Sequence, residues 1–381
     1  MKRTGIICEY NPFTNGHSLH LNRAKELYGD EVVCIMSGEF TQRGEVAIAS
    51  APTRASWAIE GGAAAVVSMP AFSSMANAEI FALNGVKTAV RAGCEVLFFG
   101  SEEEDLSRLS AAADALSDDK TAESFRSLIK SGISYPSALS RAVGTVSADA
   151  AEILRHPNNI LAVNYIAAIK RTGAPLTPVN MKRTDNGYGS TIPAGGFLSA
   201  GGIRGKIKCG ESPDAFVPPF VSKTLKTLNP VKADEKFNDL LTYKLQCADK
   251  SFLSAICDMS EGLENRIKRA AESASDAEEF FAAVKSKRYT MSRIKRIAAY
   301  ILLDVTQELA DRLNSSSYGR IIAVRKDKKH LLSSMKQAGL ATCFSDVKQE
   351  DLPFFEWDKK AASVAALIRG VAPSGLNTVW L

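Results

Sequence analysis

Gly5-Ile6-Ile7-Cys8-Glu9-Tyr10-Asn11-Pro12-Phe13-Thr14-Asn15-Gly16-His17-Ser18-Leu19-His20 reads as a short buried strand, a tight loop and a helix whose first turn carries two histidines. A helix N-terminus exposes backbone N–H groups and the positive end of the helix dipole, so this junction favours phosphate. Gly16 lets the backbone approach such a group closely, and His17 at the helix start can donate to it. His20 follows at i+3 on the same face. Two histidines at that spacing could also chelate zinc, but a third ligand is not evident. Cys8 falls in the buried strand, and His156 and His330 are remote in sequence. Two of the chain's four histidines sit in this one segment, which favours nucleotide handling over zinc or a merely capped helix.

Outward from this segment, the first hundred or so residues alternate strand and helix patterns, which predicts an α/β fold with a doubly wound parallel sheet. Strands are expected at 4–8, 32–37, 64–69 and 95–99, and helices at 18–28, 52–60 and 76–91. In such sheets ligands bind at the carboxyl ends of strands, near the topological switch. The loops there hold Asn11–His17, Gly38–Glu45 and Gly100–Glu104. A helical cover is expected over 106–151, a helix opening at Pro157-Asn158-Asn159, a strand over 177–181, and a loop over 182–189. Pro213–Pro219 reads as a linker. The expected division is a catalytic domain over 1–212 and a basic, mainly helical domain over 220–381. The second contains a small mixed α/β segment with a strand at 320–324.

Composition bounds the function class. With 381 residues, 45% hydrophobic and 23% charged, the chain suits a globular enzyme of two domains, and no tract reaches transmembrane length. Met1-Lys2-Arg3 runs straight into a strand rather than into a signal peptide. Seven scattered cysteines with no CxxC pair fit a reducing cytoplasm and argue against structural zinc. The net charge of +5 conceals an asymmetry: residues 285–336 carry 13 Lys/Arg against 4 Asp/Glu. That surplus suggests a polyanionic partner. Lys285, Lys287, Arg288, Arg293, Lys295 and Arg296 form the candidate nucleic-acid surface, with a plain solvated helix face as the alternative.

Three further motifs belong beside the first. Ser199-Ala200-Gly201-Gly202-Ile203-Arg204 resembles the hydroxyl- and arginine-bearing element that accompanies (T/H)xGH in nucleotidyltransferases. There Ser199 and backbone N–H groups would hold phosphate, while Arg204 would meet the outer phosphates with an always-charged fork. Ser37–Glu45 is a polar loop placed to hold a second substrate. Phe99-Gly100-Ser101-Glu102 ends a strand where glycine lets a base or ribose lie against the backbone. No nucleophile elbow or Cys/His catalytic motif is visible.

Taken in order, GIICEYNPFTNGHSLH, MSGEFTQRGE, FFGSE, PNNIL, the Lys182-Arg183…Tyr188 loop, LSAGGIR and SRIKR resemble the tRNA(Met) cytidine acetate ligase family. The resemblance implies a HUP-type nucleotidyltransferase-like domain and an ATP-dependent ligase. Such an enzyme activates acetate as acetyl-adenylate and then acetylates N4 of the wobble cytidine of elongator tRNA(Met). It implies ATP contacts from Ile7–His20, Gly100, Asn158 and Arg183, and Mg2+ accompanying the ATP. His17, His20 and Arg204 are expected to be the catalytic residues. Thr14 stands where the family usually has histidine, and Gly189 replaces a histidine after Tyr188. The competing functions are a small-molecule nucleotidyltransferase or carboxylate-adenylating ligase of cofactor synthesis, and a non-catalytic nucleotide- or RNA-binding protein.

Overall fold

Strand β2 (Val32–Met36) is buried along its whole length, as befits a strand covered on both faces. Its Val33 and Ile35 enter one hydrophobic core, while Val32, Cys34 and Met36 enter another on the opposite side. The other strands are β1 (Thr4–Cys8), β3 (Ala65–Ser68), β4 (Val96–Ser101), β5 (Thr177–Lys182), β6 (Arg320–Val324) and β7 (Val379–Trp380). They form one sheet in the order β5-β4-β1-β2-β3-β6-β7. The computed structural model describes residues 2–183, 196–259, 262–315, 318–373 and 379–380.

The expected doubly wound architecture is present, and among the described strands one pair, β3 with β6, is antiparallel. Helices Ala78–Arg91 and Pro157–Thr172 cover one face, where Phe81, Val86, Val163 and Ile166 meet Leu97 and Phe99. Helices α1 (Asn15–Tyr28) and α2 (Ala51–Glu60) cover the other, where Leu21, Ala24, Trp57 and Ala58 meet Ile6 and Phe98. The chain runs outward from β1 to β2 and β3, then returns to place β4 and β5 on β1's other side. The sheet therefore switches direction between β1 and β4, and a crevice opens at their carboxyl ends.

Two expectations change. The strand at Arg320–Val324 does form, but it pairs with β3 and so extends the first sheet rather than a separate small segment. All five of its residues are buried, and an apolar strand gains most by joining an existing sheet. The stretch 213–219 is packed rather than a free tether. Val217 is buried there, and the helix Pro219–Leu225 that follows sinks Val221 and Leu225 into the core beside α2. A third core joins helices Pro230–Cys247, Leu263–Ser273, Met291–Leu303 and Leu352–Arg369 to Phe40, Phe72 and Met75 of the N-terminal part.

Candidate active site

Thr14 starts α1 three residues earlier than the expected helix at 18–28, because its side chain caps the N-terminus. Thr14 Oγ1 accepts from His17 N at 3.2 Å, and Thr14 N donates to His17 Nδ1 at 3.0 Å. This is a capping box with histidine in the place usually held by Glu or Gln. A backbone N–H can only donate, so Nδ1 is the accepting nitrogen and Nε2 carries the proton of the neutral ring. His17 thus offers a donor beside the backbone N–H groups of the first helical turn.

Upstream, Tyr10 takes a left-handed φ of 49°, and its ring packs 5.0 Å from His17 and 4.8 Å from Phe13. Asn11 Oδ1 accepts from Ile48 N at 2.8 Å, while its carbonyl accepts from Arg204 Nη1 at 2.7 Å. The loop is therefore held from both sides before any ligand arrives. Glu9, at the end of β1, accepts from Gln42 N at 2.7 Å. Burial pushes its carboxyl up from the ordinary value, against the charges of Arg204 and Arg54.

These residues line a cavity of about 240 Å³ at the switch between β1 and β4. Ile7, Cys8, Glu9, Tyr10, Asn11, Thr14, Gly16, His17, Leu19 and His20 contribute from the opening segment. Gly100, Asn158, Arg183, Ser199 and Arg204 complete the set that the sequence had nominated. Pro12, Phe13, Asn15 and Ser18 are not on its wall. Phe13 is fully buried in the core beneath it, and Asn15 Nδ2 donates to the Ala215 carbonyl at 3.1 Å. Phe81, Leu161 and Tyr165 supply an apolar wall that sequence reasoning missed, since their helical spacing is that of ordinary core residues.

His20 stacks on Phe98 with ring centroids 4.6 Å apart. Its Nε2 is shielded and has no partner among the described residues. Burial, together with the positive charge of Arg183, pulls its pKa down to about 4, against a backbone contact at Phe99. A ring shifted this far is neutral at physiological pH and can act as a hydrogen-bonding group rather than as a cation.

The far wall is assembled from β4, β5 and two helix starts. A Cβ on Gly100 would lie 3.2 Å from Arg183 Cγ, so the glycine lets Arg183 lie across the strand end. Glu102 caps helix Pro157–Thr172: its carboxylate accepts from Asn158 Nδ2 at 2.7 Å and from Asn159 N at 2.8 Å. Asn159 Oδ1 returns the contact by accepting from Glu102 N and Glu103 N, each at 2.9 Å. Ser199 caps helix Ala200–Lys208 by accepting from Gly202 N at 3.0 Å. Two capped helix N-termini, that of α1 and that of Ala200–Lys208, thus face one cavity with Arg204 on its wall. Tyr188 and Gly189 lie outside the described residues.

A model of the HIGH Nucleotidyl Transferase family matches residues 1–374. The tRNA(Met) cytidine acetate ligase of Thermoanaerobacter sp. (strain X514) is 34% identical over 95% of this chain and 94% of its own length. The chain belongs to the tRNA(Met) cytidine acetate ligase family. The Bacillus subtilis (strain 168) member is 31% identical, covering 96% of this chain and 92% of its own. The apo crystal structure of Thermotoga maritima TmcAL superposes with a TM-score of 0.89 at 28% identity, over 98% of this chain and 96% of that one. A second crystal form, bound with alpha-thio ATP, gives a TM-score of 0.87 at 27% identity, over 98% and 95%.

In this member of the tRNA(Met) cytidine acetate ligase family the six basic residues singled out from sequence separate into two groups. Lys285, Lys287 and Arg288 are exposed. Arg293 and Arg296 are partly buried against Asp258, at 3.2 and 3.6 Å. Lys295 donates to Glu45 Oε1 at 2.7 Å, while Glu45 Oε2 accepts from Arg204 Nη2 at 3.2 Å. The role of Glu45 was not readable in the sequence, because its partners lie 159 and 250 residues away. Arg54 was likewise missed. Fully buried, it donates to the carbonyls of Glu9, Ser37, Gly38 and Ala49, and so ties the ends of β1 and β2 together.

Proposed function

We propose that this protein adenylates acetate with ATP and transfers the acetyl group to N4 of the wobble cytidine of elongator tRNA(Met). The observation that carries the reading is the pair of capped helix N-termini converging on one cavity with His17, His20 and Arg204 on its wall. Backbone N–H groups there are preorganised for phosphate oxygens and require little rearrangement when charge develops. Family membership supplies the acyl group and the RNA; the geometry supports the nucleotide.

In the first half-reaction an acetate oxygen attacks the α-phosphorus, and the bond from that phosphorus to the pyrophosphate oxygen breaks. Pyrophosphate departs with the electron pair. No covalent intermediate on the protein is needed, so catalysis rests on positioning and on stabilising charge at the phosphoryl oxygens. His17 Nε2–H and the N–H groups of α1 serve those oxygens, and Arg204 serves the outer phosphates. Gly100, Arg183 and Asn158 hold the nucleoside end. Among the described residues no group of three or more His, Cys, Asp or Glu side chains is placed to hold a metal ion. An Mg2+ ion carried in on ATP oxygens and water would neutralise phosphate charge there.

In the second half-reaction the cytidine amine attacks the acetyl carbonyl, AMP leaves, and the amine gives up one proton. The wobble base must leave its stack to reach the cavity. The exposed Lys285, Lys287 and Arg288 are assigned to the tRNA backbone, in a cytoplasmic setting. Among the described residues no helix is long and apolar enough to cross a membrane. The test is incubation with ATP, acetate and elongator tRNA(Met), followed by mass spectrometry of the nucleosides. N4-acetylcytidine that depends on both ATP and acetate supports the reading, and its absence refutes it.

A further inference from the structure

We infer that Lys295 joins Arg204 in a two-cation subsite for the departing pyrophosphate, with Glu45 as the carboxylate that positions both. This rests on the adenylating reading above and moves Lys295 from the RNA surface into the nucleotide site. It also brings a residue of the C-terminal helices into the chemistry of the first half-reaction.

The geometry is direct. One carboxylate oxygen of Glu45 receives Lys295 Nζ at 2.7 Å, and the other receives Arg204 Nη2 at 3.2 Å. The two cations thereby share one carboxylate. Arg204 lines the cavity and is anchored to the carbonyl of Asn11. Side-chain exposure rises along the series, from 19% at Arg204 through 31% at Glu45 to 37% at Lys295. Arg204 stands on the cavity wall, and Glu45 and Lys295 lie beyond it with more exposed side chains.

The placement of Lys295 does not depend on the ion pair alone. Gly44 takes a φ of +79°, and a Cβ on it would lie 2.6 Å from the Lys295 carbonyl oxygen and 2.7 Å from Arg296 N. The loop after β2 thus rests its backbone directly on helix Met291–Leu303. Two residues earlier, Gln42 lines the cavity and holds Glu9. A single short loop therefore sets the distance between the cavity and Lys295.

The charges agree with this role. Burial pushes the carboxyl of Glu45 up, but the charges of Arg204 and Lys295 outweigh it and the net shift is downward. The ionised carboxylate offsets part of the repulsion between the two cations when no anion is bound. A guanidinium has five N–H donors and an ammonium three, so both can keep Glu45 and still donate to phosphate oxygens. Pyrophosphate leaves carrying more charge than one arginine can match, and a second cation lowers the cost of its departure. Arg293 and Arg296, two residues before Lys295 and one after, are instead committed to Asp258, which singles out Lys295 on this helix.

Acetate-dependent ATP–pyrophosphate exchange requires no tRNA and separates the two roles of Lys295. Lys295→Met, which leaves Glu45 still paired with Arg204, is expected to raise KM for pyrophosphate about 10- to 100-fold, with KM for acetate and tRNA affinity unmoved. Lys295→Arg should restore most of the loss. Glu45→Gln should lower kcat without raising KM for pyrophosphate, since both cations remain but lose their alignment. Unchanged exchange kinetics in Lys295→Met combined with weakened tRNA binding would return Lys295 to the RNA surface and overturn the inference. Should the wild type show no acetate-dependent exchange, the adenylation reading fails, and the subsite is then judged by calorimetric titration with inorganic pyrophosphate. Binding that Lys295→Met loses sustains the subsite; equal binding in both proteins, or none in either, removes it.

Discussion

His17 does two jobs that substitution can separate. Its Nδ1 completes the capping box with Thr14, and its Nε2–H is the donor we propose for phosphate. Alanine removes both, so turnover should fall roughly 10²–10³-fold; Thr14 still caps the helix, and losing the reciprocal bond from Thr14 N to His17 Nδ1 should cost about 1 kcal/mol of stability. Glutamine at the same place can rebuild the capping box. His17→Gln is therefore expected to keep the wild-type melting temperature while remaining impaired in turnover, and equal damage in both readouts would refute the division. Thr14 belongs to the same box, for its hydroxyl caps the helix. His20 predicts a pH effect. Its folded pKa, near 4, lies below the unfolded value of about 6.5. The neutral ring's contribution is complete above pH 6.5 and is lost as pH falls towards 4, up to about 3 kcal/mol. Urea unfolding of wild type and His20→Gln across that window should show the steeper loss in the wild type.

At the scale of elements, the cavity depends on how helices begin. Glu102 closes the N-terminus of Pro157–Thr172 and in the same act orients Asn158. Glu102→Ala is expected to cost about 1–2 kcal/mol and to raise KM for ATP, because Asn158 loses its partner; a melting curve and ATP kinetics read the two effects. The order strand, loop, helix of Thr4–Tyr28 was legible in the sequence, since apolar pattern, turn residues and histidines all lie within one short window. Helix starts were less legible: α1 was expected from 18 and begins at Asn15, because Thr14 supplies a cap that hydrophobic periodicity does not register. The loop after β2 was recognised as polar and near the switch. Its contact with helix Met291–Leu303 was not, because nothing local in Gly44-Glu45 announces a neighbour 250 residues on.

Across the whole molecule, the C-terminal chain both closes the sheet and buttresses the site. Arg369, at the end of the last long helix, forms a nearly buried ion pair with Glu39 and donates to the carbonyl of Ala47 at 3.1 Å. Glu39 also accepts from the N-terminus of α2. Arg369→Met leaves that carboxylate buried without its cation, and a loss of about 3–5 kcal/mol is expected in chemical denaturation. A change under 1 kcal/mol would show that the C-terminal helix does not brace the loop. The strand at Arg320–Val324 was legible as a strand, but its partner was not, since sheet neighbours distant in sequence leave no local signature. The exposed cations Lys285, Lys287 and Arg288 carry a salt-dependence prediction: replacing all three with glutamine should flatten the log–log slope of tRNA binding by about 2–3, and an unchanged slope would clear them. The central claim remains the chemistry at the switch between β1 and β4. Acetate-dependent ATP–pyrophosphate exchange in the absence of tRNA tests it most directly. Exchange that requires acetate and collapses in His17→Ala is the predicted result; exchange indifferent to acetate, or undiminished in that variant, would contradict it.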